Sequence, residues 1–409
     1  MNYVIIGNSA AAIGAVEGIR QQDKKSNITL ISNENYHTYS RPLISYLLYG
    51  KTTEEKMKYR SNSFYKDNNC TLMFATVEKL DAKAKTLLLD DGKTVSYDKL
   101  LIATGSRPFV PPMAGLENVE KKYTFMSLDD VLALQASITP ESRVLIVGAG
   151  LIGLKAAEGI NDKVQSITVI DLADRILPSI LDIEGSALVQ KHIESKGVRF
   201  FLNDSVSSFS KNSAVLKSGK QIAFDILIIA VGVRPNTNLV KDAGGEVNRG
   251  IVTDTFCRTS LPDVFSAGDC AESFDITIAE YRVLALLPNA YMQGECAGIN
   301  MAGGNKEYNN AIPMNAIGFF GLHIITAGSF DGESEVIKNA DSYKKLIVKD
   351  GLLKGAIMIG DVSRAGIYTS IIRDQIPLDT VDFDMLKEKP QLLAFSKTAR
   401  KQKLGGSEK

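Results

Sequence analysis

Two stretches of this 409-residue chain place small residues where a phosphate could be held. In RVLIVGAGLIGLKAAEGI, residues 143–160, Gly148, Gly150 and Gly153 form G-x-G-x-x-G between an apolar run and a helical pattern. Each glycine has its own task. The first permits a tight turn, the second lets backbone approach a pyrophosphate, and the third lets the helix pack on the strand. Leu151 and Ile152 then open a helix whose N-terminus favours an anion. The opening of the chain, YVIIGNSAAAIGAVEGI, repeats this plan at an offset of 141 residues. Gly7 falls on Gly148, Ser9 on Gly150 and Ala12 on Gly153, with Ala10 and Ala11 at the positions of Leu151 and Ile152. Glu17-Gly18-Ile19 likewise falls on Glu158-Gly159-Ile160, so the match runs on along the helix. Alanine is accepted at the third position, and only Ser9 departs from the pattern. The first turn then reads either as a working nucleotide turn, with the Ser9 hydroxyl donating to a phosphate oxygen, or as a purely structural strand-turn-helix.

The elements that must position these turns repeat as well. Residues 92–108, GKTVSYDKLLIATGSRP, return at an offset of 127 as GKQIAFDILIIAVGVRP, residues 219–235. Each begins at a tight turn, Asp91-Gly92 or Ser218-Gly219, and crosses a hairpin partner into a buried apolar strand ending in Ala-x-Gly. The chain thus holds two nested copies of one unit: phosphate turn, helix, strand, hairpin, glycine-ended strand. Two nucleotides are implied. After the second copy, the apolar strand in TSLPDVFSAGDCAE delivers Gly268-Asp269 at its carboxyl end, where open α/β sheets bind ligands and a carboxylate suits a sugar-like hydroxyl.

Composition bounds the rest. The length fits about two or three domains. Lys plus Arg and Asp plus Glu both number 47, so no bulk field favours nucleic acid or an anionic membrane. Met1 runs straight into a strand-like segment, which predicts a cytoplasmic protein. Residues 311–330 are uncharged but carry three glycines, Pro313, Asn315 and His323, and read as buried strands, not a membrane helix. Cys70, Cys257, Cys270 and Cys296 show neither C-x-x-C nor zinc spacing, so reduced thiols and no metal site are expected.

Taken together, the two phosphate turns, LLIATGSRP, LIIAVGVRPNT and VFSAGD resemble the FAD-dependent pyridine-nucleotide oxidoreductases of the two-dinucleotide-domain type, over about 300 residues and in the expected order. The resemblance implies an α/β fold with two Rossmann-like dinucleotide-binding domains, glutathione-reductase-like, plus a small α+β C-terminal domain. It places FAD on the first turn and NADH on the second. Thr104, Gly105 and Arg107 would line the flavin nucleotide site, Asp269 would bind the ribityl chain, and Gly232 would serve the second site. Asp171 ends the strand ITVID, 23 residues after Gly148, where a carboxylate accepts both ribose hydroxyls and repels a 2′-phosphate. That favours NADH, although nearby Arg175 could accept the phosphate. In the first copy Ser32 takes the equivalent place, and Glu34 is assigned to the FAD ribose.

Disulfide reductases of this family carry a redox cysteine or cysteine pair after the adenine strand. This chain has TYSRPLISYLLYG, residues 38–50, without one. Tyr-Ser-Arg-Pro instead resembles rubredoxin reductases and the flavoprotein portion of nitrite reductases, which implies FAD contact for Arg41 and Pro42. The other reading is a helix-starting proline beside a solvated arginine. SYKKLIVKDGLLKGAIMIGD, residues 342–361, with an Asp350-Gly351 hairpin turn, and the helix-like RAGIYTSIIRDQ after it resemble the carboxyl-terminal domain of rubredoxin reductases. In most relatives the position of Lys155 is a glutamate near the flavin edge, paired with a lysine where this chain has Tyr46. Lys155 is then either a solvated helix residue or an ammonium beside the flavin that attracts negative charge on its reduced form.

The boundaries expected are 1–108 with 237–310 for the FAD-binding domain, 109–236 for the NAD-binding domain, 311–396 for the C-terminal domain, and a flexible basic tail over 397–409. That tail is either a solvated end or an attractor of an acidic carrier. The implied activity is NADH-dependent reduction of FAD with onward transfer to a separate small electron-carrier protein, a rubredoxin or an iron-sulfur protein, by a monomer or homodimer. Lys155 is the one candidate catalytic side chain. Two alternatives stand beside this: an NADH oxidase reducing oxygen or a small quinone, and a redox-sensing nucleotide-binding protein.

Overall fold

A computed structural model describes residues 1–339 and 342–403. The chain divides into two compact units. The first, built from Met1–Ser179, Ser186–Ser273 and Arg282–Tyr308, contains two five-stranded parallel sheets. One runs Val264–Ser266, Lys99–Ile102, Asn2–Ile6, Asn27–Ser32, Cys70–Phe74, and the other Arg199–Phe201, Ser166–Ile170, Arg143–Val147, Ile226–Ile229, Lys122–Tyr123. Their central strands are almost continuously apolar because parallel strands covered on both faces have no side to give to water.

The repeats in the sequence are repeats of register. Tyr3 pairs with Lys99, and Val144, 141 residues on, pairs with Ile226, 127 residues on. A β-carbon on Gly7 would lie 2.2 Å from the Ala103 carbonyl oxygen, and one on Gly148 would lie 2.3 Å from that of Ala230, the equivalent residue. Both glycines have positive φ, +127° and +116°, so each turn requires glycine for conformation and for space. The hairpins are also as expected, with Gly92 and Gly219 at positive φ in their turns.

Where the chain passes between the two sheets it does so through paired strands: Ser106–Pro108 lies antiparallel to Val233–Pro235, with Arg107 opposite Arg234. The first sheet is covered by the helices Ala10–Gln22 and Leu287–Met301, which approach backbone to backbone. β-Carbons on Gly14, Gly18, Gly294 and Gly298 would come within 2.3, 2.3, 2.0 and 2.2 Å of carbonyl oxygens on the facing helix.

The second unit gathers Ile180–Gly185, Phe274–Tyr281 and the chain from Asn309 onward. It therefore takes in two short segments that lie outside residues 311–396. Asp182 explains one of them, accepting from the Tyr343 hydroxyl at 2.6 Å and from Lys345 at 2.9 Å. A bridge between Asp275 and Ala311 explains the other. Its antiparallel sheet runs Met314–Phe319, Leu322–Gly328, Leu352–Ile359, Ser342–Lys349, Glu333–Asn339, and the helix Ala365–Arg373 packs its apolar side on it. Asp350 and Gly351, at φ +54° and +71°, make the hairpin turn expected of Asp-Gly.

The basic end is not a flexible tail throughout. Lys397–Lys403 is a helix, started by Ser396, whose hydroxyl accepts the Ala399 N–H at 3.2 Å, and held by Ala399 against the apolar core. A small residue on an otherwise polar segment was enough to dock it. Residues 404–409 of the expected tail lie outside the described residues. Among the described residues no helix is long and apolar enough to cross a membrane.

Candidate functional site

A cavity of about 580 Å³ opens at the carboxyl ends of the first sheet's strands. The first turn supplies Gly7, Ser9, Ala10 and Ala11 to its wall. Ser9 is the N-cap of the helix Ala10–Gln22 and its side chain makes no capping hydrogen bond, which leaves the hydroxyl available to an incoming phosphate oxygen. The first-turn N–H groups of that helix have no intrahelical partners and supply the rest of an anion site. Ala12 does not reach the cavity; it is fully buried, its methyl packed where the second copy has a glycine.

Glu34, Arg41, Thr104, Gly105, Arg107 and Asp269 also line the cavity. Glu34 and Arg41 are ion-paired, and the Tyr39 hydroxyl donates to the other Glu34 oxygen at 2.6 Å. Arg41 is thus a paired wall residue, its side chain 36% exposed. Pro42 is different: it is exposed, lies outside the wall and starts the short helix Arg41–Leu43. Of the Arg-Pro pair only the arginine lines this cavity.

Asp269 follows Gly268, whose positive φ of +83° turns the strand end and whose N–H donates to the Gln293 side chain at 2.8 Å. Burial pushes the Asp269 carboxyl up, opposed by the Arg41 guanidinium and by the Ser106 hydroxyl at 3.4 Å. A half-buried acceptor of this kind, facing the cavity, gains from a ligand that brings hydroxyl donors.

Several wall residues are given no role from the sequence. Asn236 clamps the Ala-x-Gly turn: its Nδ2 donates to the Thr104 carbonyl at 2.9 Å, its carbonyl accepts the Thr104 hydroxyl at 2.8 Å, and its Oδ1 accepts from Arg107 at 2.9 Å. Asn8 bonds the Tyr36 carbonyl and the Tyr65 hydroxyl, fixing the loop after the second strand. Met126, Ser127 and Asp130 come from the start of the helix Leu128–Ser137. That start was readable, since Ser127-x-x-Asp130 is a capping box and both of its hydrogen bonds form.

The second turn has its own geometry. Gly150 is the N-cap of the helix Leu151–Ile160 with open space where a β-carbon would be, and a β-carbon on Gly153 would lie 2.1 Å from the Gly148 carbonyl oxygen. Leu151 and Ile152 begin that helix partly exposed, and exposed Gly232 accepts the Phe109 N–H at 2.9 Å. Asp171 does more than end a strand. Its two oxygens accept the Ala149 N–H at 2.6 Å and the Ala173 N–H at 2.8 Å, so the carboxylate braces the turn itself. Asp171→Ala should therefore lower the NADH preference in kcat/KM and also destabilise the protein by roughly 1–3 kcal/mol through the orphaned N–H groups. Asp171→Asn, which keeps an acceptor, should lower the preference with a smaller loss of Tm. An unchanged NADH/NADPH ratio in both would remove Asp171 from the site.

Lys155 is not solvated. Its side chain is 18% exposed, paired with Glu158 at 11%, and its ammonium lies 4.9 Å from the centre of the Tyr46 ring. Lys155 and Tyr46 therefore meet as a cation and an aromatic face. Lys155 is not among the residues lining the cavity.

Two nested parallel sheets, each delivering a phosphate turn onto a helix N-terminus, define a protein built for two dinucleotides. The chain belongs to the pyridine nucleotide-disulphide oxidoreductase family, whose model matches residues 1–294; residues 313–376 match the rubredoxin NAD+ reductase C-terminal domain. It is 29% identical over 384 residues to the epsilon subunit of NADH-dependent phenylglyoxylate dehydrogenase from Aromatoleum evansii, covering 90% of this chain and 91% of that one. It is 30% identical over 411 residues to nitrite reductase [NAD(P)H] of Bacillus subtilis (strain 168), covering 97% of this chain and 50% of the other, so it spans about half the length of that relative. The solved putidaredoxin reductase–putidaredoxin complex shares the fold with a TM-score of 0.88 at 23% identity, over 96% and 97% of the two chains. Members of the family bind FAD and NADH, and the uncapped Ser9 hydroxyl, the open helix start and half-buried Asp269 in the cavity wall fit a dinucleotide with a polyhydroxyl linker. All four cysteines are free and none lines the cavity.

Proposed function

We propose that this chain takes electrons from NADH and passes them, through FAD held in the cavity, to a separate small redox protein of the rubredoxin or iron-sulfur kind. The observation that carries the reading is the C-terminal module: a rubredoxin NAD+ reductase domain follows a dinucleotide cavity that has no thiol in its wall. When bound, FAD supplies the hydride acceptor and the one-electron chemistry; the protein supplies binding, orientation and charge. Ser9 and the first turn hold the FAD pyrophosphate, Glu34 its ribose and Asp269 its ribityl hydroxyls, while Arg41, Thr104, Gly105 and Arg107 shape the wall. Gly148, Gly150 and Gly153 admit the NADH pyrophosphate, with Asp171 on the ribose. Lys155 approaches the flavin edge as a charge already balanced by Glu158.

Residues 1–108 with 237–310 form the FAD-binding domain and 109–236 the NAD-binding domain, apart from Phe274–Tyr281, Ile180–Gly185 and the residues from Asn309, which go with the C-terminal unit; the two separate sheets support this division. Four free cysteines support a reducing, cytoplasmic setting. A monomer or homodimer serves this function equally. To test the reading, the protein is reduced anaerobically with NADH and mixed in turn with a rubredoxin, a small iron-sulfur protein, oxygen and a quinone. At least one protein carrier should reoxidise the flavin at least tenfold faster than oxygen or the quinone. Fastest reoxidation by oxygen or quinone would make the chain an oxidase instead.

A further inference from the structure

The segment 36–41 reaches the start of the helix Leu128–Ser137 three times. Tyr36 donates to Asp129, Arg41 donates to the Met126 carbonyl at 3.3 Å, and the Tyr39 hydroxyl accepts the Leu128 N–H at 3.1 Å. The third contact differs from the others in what it satisfies. Leu128 is the first helical residue, so its N–H has no partner within the helix. The capping box occupies the N–H groups of Ser127 and Asp130. Tyr39 thereby completes the cap from another part of the chain. The same hydroxyl donates to Glu34 at 2.6 Å and accepts from Arg41 at 3.2 Å. Tyr39 is 9% exposed and Leu128 3%, so water is a poor substitute for any of these bonds.

We propose that Tyr39 is a positioning residue that couples occupancy of the cavity to occupancy of the second phosphate turn, an inference that rests on the FAD reading of the cavity. Glu34 and Arg41 line the cavity, and a nucleotide that fixes them fixes the hydroxyl between them. That hydroxyl holds the helix start. The helix ends at Ser137, and a tight link in which the Thr139 N–H donates to the Ser142 hydroxyl at 3.0 Å leads into the strand Arg143–Val147 and the Gly148 turn. Only five residues separate helix from strand, so the route from the helix to the Gly148 turn is short. Coupling through this route is reciprocal, and because both ligands hold the same helix and turn in place its sign is positive, so a ligand on the second turn should retain FAD in the first site.

ADP-ribose is the probe, because it fills a dinucleotide phosphate turn but lacks the ring that could touch a flavin directly. FAD release from the FAD-loaded protein is timed by free-flavin fluorescence, with and without ADP-ribose at a concentration that calorimetry shows to be saturating. In the wild type ADP-ribose should slow release several-fold. Tyr39→Phe should release FAD faster and lose the ADP-ribose effect, which a merely structural loss would leave in proportion. Asp129→Ala, which removes the acceptor of the exposed Tyr36 contact and leaves the Tyr39 bonds in place, should keep it. No slowing in the wild type overturns the proposal whether or not the Phe variant folds, as does an undiminished effect in Tyr39→Phe or its equal loss in Asp129→Ala. A wild-type protein that purifies without flavin and takes up none overturns the FAD reading instead.

Discussion

Replacing Gly294 by alanine should cost the protein most of its bound FAD and lower its Tm by several degrees. On propensity alone the change is favourable by about 1 kcal/mol, since alanine is the better helix former. The facing helix decides otherwise. The added carbon would lie 2.0 Å from the Ala11 carbonyl oxygen and 2.8 Å from its α-carbon, backbone atoms that no rotamer can move. The helices must part along a face where Gly14, Gly18 and Gly298 make equally close approaches, and such overpacking costs about 1–3 kcal/mol or more. Ala11 is also wall of the cavity, so the displacement reaches the ligand directly. Gly366→Ala is the matched control, because nothing lies within 4 Å of its added carbon; there the propensity gain should appear as a stabilisation of roughly 0.5–1 kcal/mol. Calorimetry of both variants, with flavin content read by absorbance, checks the pair. A Gly294→Ala protein as stable as Gly366→Ala would refute the close crossing.

Ser9→Leu should yield folded protein nearly free of flavin, whereas Ser9→Gly should retain it at full stoichiometry. Ser9 stands at the position where the second copy has a glycine with open space beside it, and its own side chain faces the cavity without a capping bond. Loss of a good N-cap residue costs about 1 kcal/mol in general, but with no side-chain bond to lose here the stability change should fall below that. The effect then falls on the ligand. A leucine at the helix start fills the approach to the pyrophosphate and covers the N–H groups that would hold it. Full flavin content in the leucine variant would detach this turn from FAD binding.

What the sequence discloses of this architecture is what the chain says twice. The offsets of 141 and 127 residues fix both sheets, and the shared register of Tyr3 with Lys99 and Val144 with Ile226 follows from them. Local turn chemistry does the same for Asp350-Gly351. The close crossing escapes notice because Gly14 and Gly18 look like poor helix residues until Gly294 and Gly298, some 280 residues away, are set against them. Tyr39 and Asn236 escape for a similar reason: each acts through a partner that only the folded chain brings near. Pro42 lies outside the cavity wall that Arg41 lines, a difference between neighbours that adjacency in sequence does not disclose. Asp171 is assigned to a ligand, while its bond to the Ala149 N–H, which serves the turn first, needs the strand end and the turn to be seen together.

The pairing of Ser106–Pro108 with Val233–Pro235 means that the second sheet is spliced into the first through two neighbouring strands. During synthesis the ribosome therefore delivers Asn2–Ile6, Asn27–Ser32 and Lys99–Ile102 early, but their last companion, Val264–Ser266, only after the whole inserted sheet has emerged. At about 5–20 residues per second that interval is on the order of ten seconds, long compared with the folding of a small α/β domain. The inserted sheet is complete first. The half-built one meanwhile leaves the glycine face of Ala10–Gln22 uncovered until Leu287–Met301 arrives, and a nascent chain in that state is a natural client for a chaperone.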